Sequence, residues 1–366
     1  MSEMSGVLTI NLGALARNYK KLESLSSSHC ETACSIKADA YGLGAENCAP
    51  ALYQAGARSF FVATIEEALV VRKKLPAEAA IYTLCGLSPY KEQTPLYTSY
   101  NITPVINSLE ELAQAREMGA INAALHIDTG MNRLGLGKKD IQTLCHDPSL
   151  PGKVNISLII SHFIASEESR QASNKEQLTQ FKDMSDRISA LYPDAKRSLS
   201  NTGGAFLGQE YHFDMIRAGL GLYGAHPSDS QKKNPMEPVI KLSAPILQIR
   251  TAKKGETAGY NGTYTFKKDT SLAIISCGYA DGLLRSLSNQ GTLYWKGYAL
   301  PVRGRISMDL TICDLSAVPQ NEYPKRGDRV EVIGQYQSVD ALAKDARTIP
   351  YEIMTSLGAR YKRIYV

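Results

Sequence analysis

The stretch VNISLIISHFIASEESRQASNKEQLTQFKDMSDRISALYPDAKRSLSNTGG (154–204) decides the fold. It opens on an apolar run rich in isoleucine, 154–161, the length and composition of a strand buried on both faces of a parallel sheet. A helical stretch at 174–192 and a second short strand at 196–200 follow, so strand, crossover helix and strand make one βαβ unit. Working outward, the alternation recurs: strands are expected near 32–37, 58–63, 79–84, 103–106, 121–127 and 213–217, with helices at 12–27, 65–74 and 108–118. The first of these helices sets Leu12, Leu15, Tyr19 and Leu22 on one face, and Ser108 with Glu111 reads as a capping box. Eight strands with their helices predict an α/β chain built on a (β/α)8 TIM-type barrel.

From Pro235 onward the pattern changes to closely spaced β runs near 239–250, 271–277, 292–302, 306–314 and 328–334, broken by glycine-containing turns. That predicts a mostly β C-terminal domain with some helix near its end. The polar, proline-containing segment HPSDSQKKNPMEP (226–238) separates the halves, so the barrel is expected over 10–234 and the second domain over 235–366, with residues 1–9 free to join it.

A chain of 366 residues suits two domains at the usual ~100–200 residues each, and its 43% hydrophobic and 21% charged content is that of a globular protein. Forty-one Lys and Arg against 36 Asp and Glu leave only +5, scattered, which gives no footing for nucleic acid. Seven cysteines without a C-x-x-C pair predict neither a disulfide framework nor a bound metal, and fit a reducing, cytoplasmic setting. There is no secretory leader pattern and no run of eighteen apolar residues, so neither export nor a membrane partner is expected.

Barrel chemistry sits at the carboxyl ends of the strands. The polar residues that end these apolar runs are Lys37 after TACSI, Arg133 after ALHIDTG, His162 after ISLIIS, Asn201 and Thr202 after RSLS, and Arg217 after FDMI. Singly, each has an ordinary structural reading: Lys37 paired with Asp39, Arg217 with Asp214, His162 packed in the core. Together they surround one mouth, and the loops after strands 7 and 8, SNTGG (200–204) and RAGLGLYG (217–224), have the glycines and hydroxyl of a phosphate-binding edge. A lysine beside such an edge suggests pyridoxal phosphate held as a Schiff base. The G-L-G-L-Y-G string at 219–224 is not followed by a helix, so a dinucleotide-binding reading fails.

At these residues the chain resembles the alanine racemases. CSIKADAYGLG (34–44) is similar to the family's cofactor-lysine motif, and the likeness continues in family order through DTGMNRLG (128–135), SHF (161–163), SNTG (200–203), RAGLGLYG (217–224), GYNGTY (259–264), GYADGLLR (278–285), GRISMD (304–309) and PYE (350–352). The resemblance implies a pyridoxal 5'-phosphate enzyme, without metal, that interconverts L- and D-alanine and supplies D-alanine for peptidoglycan. By the same resemblance Lys37 works on the face of the D enantiomer and Tyr260 on that of the L enantiomer, Tyr260 being delivered by the other subunit of a homodimer. A phenol has an ordinary pKa of ~10, so a tyrosyl base needs cationic or hydrogen-bonding neighbours; His162 backed by Arg285 resembles the pair that serves. Arg217 would face the pyridine nitrogen. Tyr41, Asn201, Thr202, Tyr351 and the amides of Gly219 and Leu220 would hold the cofactor, largely at its phosphate. Arg133 would contact both the cofactor's phenolic oxygen and the substrate carboxylate, and the Met308 amide and Tyr279 would also meet the substrate.

Two other activities use similar parts: a broad-specificity or serine racemase with the same machinery, and a barrel-fold amino acid decarboxylase, which brings a cysteine from its β domain in a motif that Cys313 lacks. One position departs from the family pattern. Where many of these enzymes carry a carbamylated lysine, two residues before the DTG acid, this chain has His126. Imidazole forms no such stable carbamate. The expectation is therefore a neutral His126 hydrogen-bonded to Arg133, or an anion such as chloride between them.

Overall fold

The computed structural model describes residues 6–147 and 149–366. Its first strand, β1 (Val7–Ile10), belongs to the C-terminal sheet; β2 (Glu31–Ser35), β3 (Ser59–Val62), β4 (Ala80–Thr83), β5 (Thr103–Ile106), β6 (Asn122–His126), β7 (Asn155–Ile160), β8 (Lys196–Ser198) and β9 (Met215–Ala218) form the barrel. All barrel ladders are parallel, in the order β8-β7-β6-β5-β4-β3-β2-β9. Asp214 N donates to Arg197 O at 3.0 Å and Arg217 N to Ser200 O at 2.9 Å, which draws β9 against β8 where no ladder runs. The expected strands are all present, shorter at most ends by one or two residues.

Side chains alternate across a strand, so the residues that fill the barrel predict which later ones point into its mouth. The interior holds Ala33, Phe61, Tyr82, Val105, Ala124, Leu158, Ile160 and Met215. Small Ala33 and Ala124 make room for Phe61 and Tyr82, whose rings stack at 4.6 Å. Two or four residues further on, in the same phase, come Lys37, Asn107, His126, His162 and Arg217. That phase is what turns five scattered polar residues into one cluster above an apolar floor.

Helices Leu12–Glu23, Ile65–Arg72, Leu109–Glu117 and Ala172–Ser189 occupy the expected stretches. The capping box at Ser108 is only half made. Ser108 Oγ accepts from Glu111 N, but the Glu111 carboxylate takes the amide of Asn107 instead of that of Ser108, and so braces the end of β5.

Contacts divide the chain into a barrel unit, Leu15–Ala40 with Gly44–Glu237, and a second unit that begins again at Pro238. The second unit also takes residues 6–14 and Tyr41–Leu43, which the sequence reading placed mostly with the barrel. Residues 1–5 lie outside the described residues. In this unit the thirteen-residue strand β10 (Ile240–Ala252) pairs antiparallel with β1 and with Arg329–Ile333 through its first half, then with Thr270–Ile275 through its second. Thr292–Trp295 and Tyr298–Pro301 are a hairpin where one strand was expected, and the run 306–314 is strand only over Thr311–Asp314. The two late helices are Val339–Asp345, capped by Ser338, and Pro350–Thr355.

Candidate active site

Lys37, expected as the last residue of its strand, stands two residues beyond it: β2 stops at Ser35, although Ile36 N still reaches Phe61 O at 2.9 Å. The helical turn Lys37–Gly42 is left-handed through Ala38, Asp39, Ala40 and Tyr41, with φ of 51°, 55°, 53° and 56°. For L residues that costs on the order of 1–2 kcal/mol each. Its supports are specific. Glu67 accepts from Ala38 N at 2.9 Å and Ala63 N at 2.8 Å, Ala40 N returns to Ile36 O at 2.9 Å, and Asp39 Oδ1 takes Ala45 N at 2.7 Å. Asp39 therefore serves its own turn. Burial and the nearby Arg133 charge hold the half-buried Lys37 amine below its ordinary pKa.

Arg217 is 6% exposed and among the described residues bonds only neutral groups, including Ser198 O at 2.9 Å, Ser198 Oγ at 2.6 Å, Ser161 O, and Leu199 O at 3.5 Å. Burial lowers its pKa to about 10, which leaves it charged at neutral pH. Asp214, the partner open to it on sequence grounds, instead accepts from Arg197 N at 2.8 Å. His162 lies next to Arg217, Nδ1 to Nη2 at 3.4 Å, and burial together with the Arg217 and Lys37 charges pushes its pKa well below the usual value. His162 is thus a neutral ring.

Thr202 and Asn201 shape the mouth. Thr202 Oγ1 accepts from Gly219 N at 2.7 Å and Gly221 N at 3.4 Å, so the Gly219 amide expected for phosphate is already engaged, while the Leu220 N–H has no partner among the described residues. Residues 220–223 are a 3-10 turn, as the rejection of a dinucleotide helix requires. Asn201 Oδ1 accepts from Gly204 N at 3.0 Å and Ser166 Oγ at 2.6 Å, holding the 201–204 turn. Arg133 is exposed, at the end of a loop built on Asp128, which accepts from the amides of Gly130, Met131 and Asn132.

Among the described residues no hydrogen bond joins His126 to Arg133, and His126 turns its Nδ1 elsewhere. That nitrogen meets Asn107 Oδ1 at 2.8 Å, and burial followed by the Arg217 and Arg133 charges pushes its pKa down to about 4. Sequence reasoning missed Asn107, Glu67 and Gln177. Gln177 Nε2 donates to His162 O at 2.9 Å and Thr129 Oγ1 at 3.1 Å, tying the end of β7 to the 128–135 loop. Asn107 was recoverable, two positions beyond the barrel-filling Val105; Gln177 sits mid-helix and carries no such signal.

The other expected site residues lie in the second unit. Tyr41, 5% exposed, has its ring 5.7 Å from that of Tyr351. Tyr260 is 67% exposed and does not pack into the core of its own chain. Tyr279 and Met308 are also exposed and are joined through Tyr279 N to Ser307 O at 3.1 Å and Ala280 N to Met308 O at 3.0 Å. Gly278 is required here, since a Cβ on it would meet Met308 O at 2.3 Å. Arg285 is exposed and opens the 3-10 turn Arg285–Leu287.

A strand-end lysine, a buried arginine and a neutral histidine in one barrel mouth, followed by a β domain, are matched by two family models: "Alanine racemase, N-terminal domain" over residues 10–227 and "Alanine racemase, C-terminal domain" over 239–365. The chain belongs to the alanine racemase family. Curated relatives agree along the whole length. A catabolic alanine racemase of Agrobacterium fabrum is 44% identical over 99% of this chain and 92% of its own, and an alanine racemase of Acidiphilium cryptum is 44% identical over 98% of each. Among solved structures, the alanine racemase of Bartonella henselae with covalently bound pyridoxal phosphate is 40% identical, covers 99% of both chains and superposes with a TM-score of 0.92. The biosynthetic enzyme of Pseudomonas aeruginosa is 30% identical over 99% of both, with a TM-score of 0.90. The alanine racemases are pyridoxal-phosphate-dependent isomerases, and the barrel with its β domain is their fold. Among the described residues no helix is long and apolar enough to cross a membrane.

Proposed function

We propose that this chain racemises alanine at the barrel mouth with pyridoxal 5'-phosphate bound through Lys37. The observation that carries the reading is Lys37 itself: a half-buried amine on a braced turn, its pKa lowered by burial and by Arg133. A lowered pKa enlarges the fraction of free amine at neutral pH, the form that attacks a carbonyl and accepts a proton. The mouth fits the cofactor's other parts. The Leu220 amide and the Thr202 hydroxyl lie at its glycine-rich edge, with Tyr41 and Tyr351 as our further assignments for the phosphate. When bound, the cofactor supplies an electron sink for the pair left behind by the α-proton.

The rest is work for the side chains. Arg217 keeps its proton, so it can offer a hydrogen bond to a heterocyclic nitrogen without protonating it. Arg133 pairs with the substrate carboxylate, helped by the amide of Met308 and by Tyr279. Lys37 takes or returns the α-proton on one face and the partner subunit's Tyr260 on the other. His162, neutral and with Nδ1 toward Arg217, carries its proton on Nε2 and can donate it to that phenolic oxygen, with Arg285 supporting the pair. The exposure of Tyr260, Tyr279 and Met308 supports a homodimer in which the second copy completes each site.

The enantiomers have equal free energies, so no racemase favours one; the direction is set by which is consumed. The peptidoglycan role implied by resemblance and the catabolic role named for the Agrobacterium fabrum relative are thus uses of one reaction. Assaying twenty L-amino acids with coupled D-amino-acid oxidase tests the substrate. Alanine should give the highest kcat/KM; serine or a basic amino acid ahead of it would favour the broader racemase reading. Loss of growth without added D-alanine on deleting the gene would support the peptidoglycan role, and unimpaired growth the catabolic one.

A further inference from the structure

His126 is neutral in a site with two nearby guanidinium groups, and which of its nitrogens carries the proton decides what it offers them. Asn107 settles that choice. Its Nδ2 faces two carbonyl oxygens, Val105 O at 2.8 Å and Leu84 O at 3.3 Å, which accept and cannot donate. The amide group is thereby oriented with Oδ1 toward His126, and an amide oxygen only accepts, so His126 Nδ1, 2.8 Å away, must be the donor. The other edge of the ring turns to the loop that carries Arg133: a Cβ on Gly135 would stand 3.2 Å from His126 Cδ2, the atom bonded to Nε2. The charges acting on the ring are Arg217, Arg133 and Asp128.

We propose that Asn107 locks His126 as the Nδ1–H tautomer, so that a bare Nε2 is left as a neutral hydrogen-bond acceptor for the Arg133 side chain when that side chain turns onto a bound substrate carboxylate. A carbamylated lysine at this position would bring a negative charge; His126 orients without neutralising, and leaves the whole guanidinium charge for a substrate carboxylate. This rests on the reading of the barrel mouth as the substrate site, whereas the tautomer itself does not.

The holoenzyme labelled with 15N-histidine, read by long-range proton–nitrogen correlation, tests it. The ring signals of His126, assigned by their absence in His126→Gln, should show Nδ1 protonated and Nε2 bare from about pH 6 to about pH 9. Asn107→Ala should abolish that preference and raise KM for alanine roughly tenfold with a smaller change in kcat, the effect of a mispositioned carboxylate ligand. An Nε2–H tautomer or an imidazolium in the wild-type protein overturns the proposal, as does an Asn107→Ala protein with the original tautomer or an unchanged KM. Should Asn107→Ala not fold, the wild-type spectrum decides. Failure of the wild-type protein to racemise alanine would count against the proposed function and leave the tautomer measurement standing.

Discussion

Arg217 and His162 face one another at 3.4 Å, Nη2 to Nδ1, with the two side chains drawn from the ends of β9 and β7, the strands on either side of β8. The guanidinium gathers carbonyls and a serine hydroxyl around itself, and no carboxylate is among its partners. Shortening it by Arg217→Lys keeps the charge and abandons the fork, leaving buried acceptors unmet at about 1–3 kcal/mol. Chemical denaturation should show a loss of stability of that order, and kcat should fall at least ~100-fold because the cation leaves its fixed place. Near-wild-type turnover in Arg217→Lys would show that charge alone suffices.

The lysine assignment is open to direct chemical proof. Borohydride reduction of the holoenzyme should leave a pyridoxyl group on the peptide containing Lys37 and on no other. Mass mapping that finds the group elsewhere removes Lys37 from its role.

Two bases on opposite faces make a distinguishable pair of defects. Tyr260→Phe should lose racemisation yet retain exchange of the D-alanine α-hydrogen with deuterated solvent, since Lys37 is intact. Equal loss of exchange from both enantiomers would contradict the scheme.

If each site draws Tyr260 from a second copy, two dead variants can repair one another. Mixing Lys37→Ala with Tyr260→Phe under conditions that exchange subunits should restore activity toward one quarter of the wild-type level, since a hybrid dimer has one intact site. An absence of recovery after exchange is verified by mass would mean that one chain builds the whole site.

His126 and His162 are held neutral, with the pKa of His126 pushed down to about 4. Between ~6.5, where the unfolded chain takes up protons, and about 4, the folded protein refuses them. Stability is therefore fully present above ~6.5 and declines as the pH falls, by up to ~1.4 kcal/mol per unit for each ring. Urea midpoints measured from about pH 7.5 down to about pH 5 should fall along this slope, and His126→Gln should flatten it. A wild-type midpoint independent of pH over that span would mean that the rings are not buried neutral.

Much of this molecule is legible in one dimension because burial imposes a period. The barrel strands are apolar on both faces, and residues of one phase that fill the interior lead directly to Lys37, His126, His162 and Arg217 at the mouth. The order of the motifs carried the family, and the polar 226–238 segment falls beside the break between units at Pro238. What only the tertiary structure decided depends on partners remote in sequence. The left-handed turn after Lys37 exists because Glu67 and Ile36 hold it, against the local preference of four L residues. The hydrogen-bond partner of His126 Nδ1 is Asn107, nineteen positions upstream and side by side with it only because β5 and β6 are neighbours. The Gly219 amide is taken by Thr202, and Tyr41–Leu43 go with the C-terminal unit. Periodicity records which side of a strand meets the core. A hydrogen bond between neighbouring strands depends on register, which a single strand's sequence does not contain.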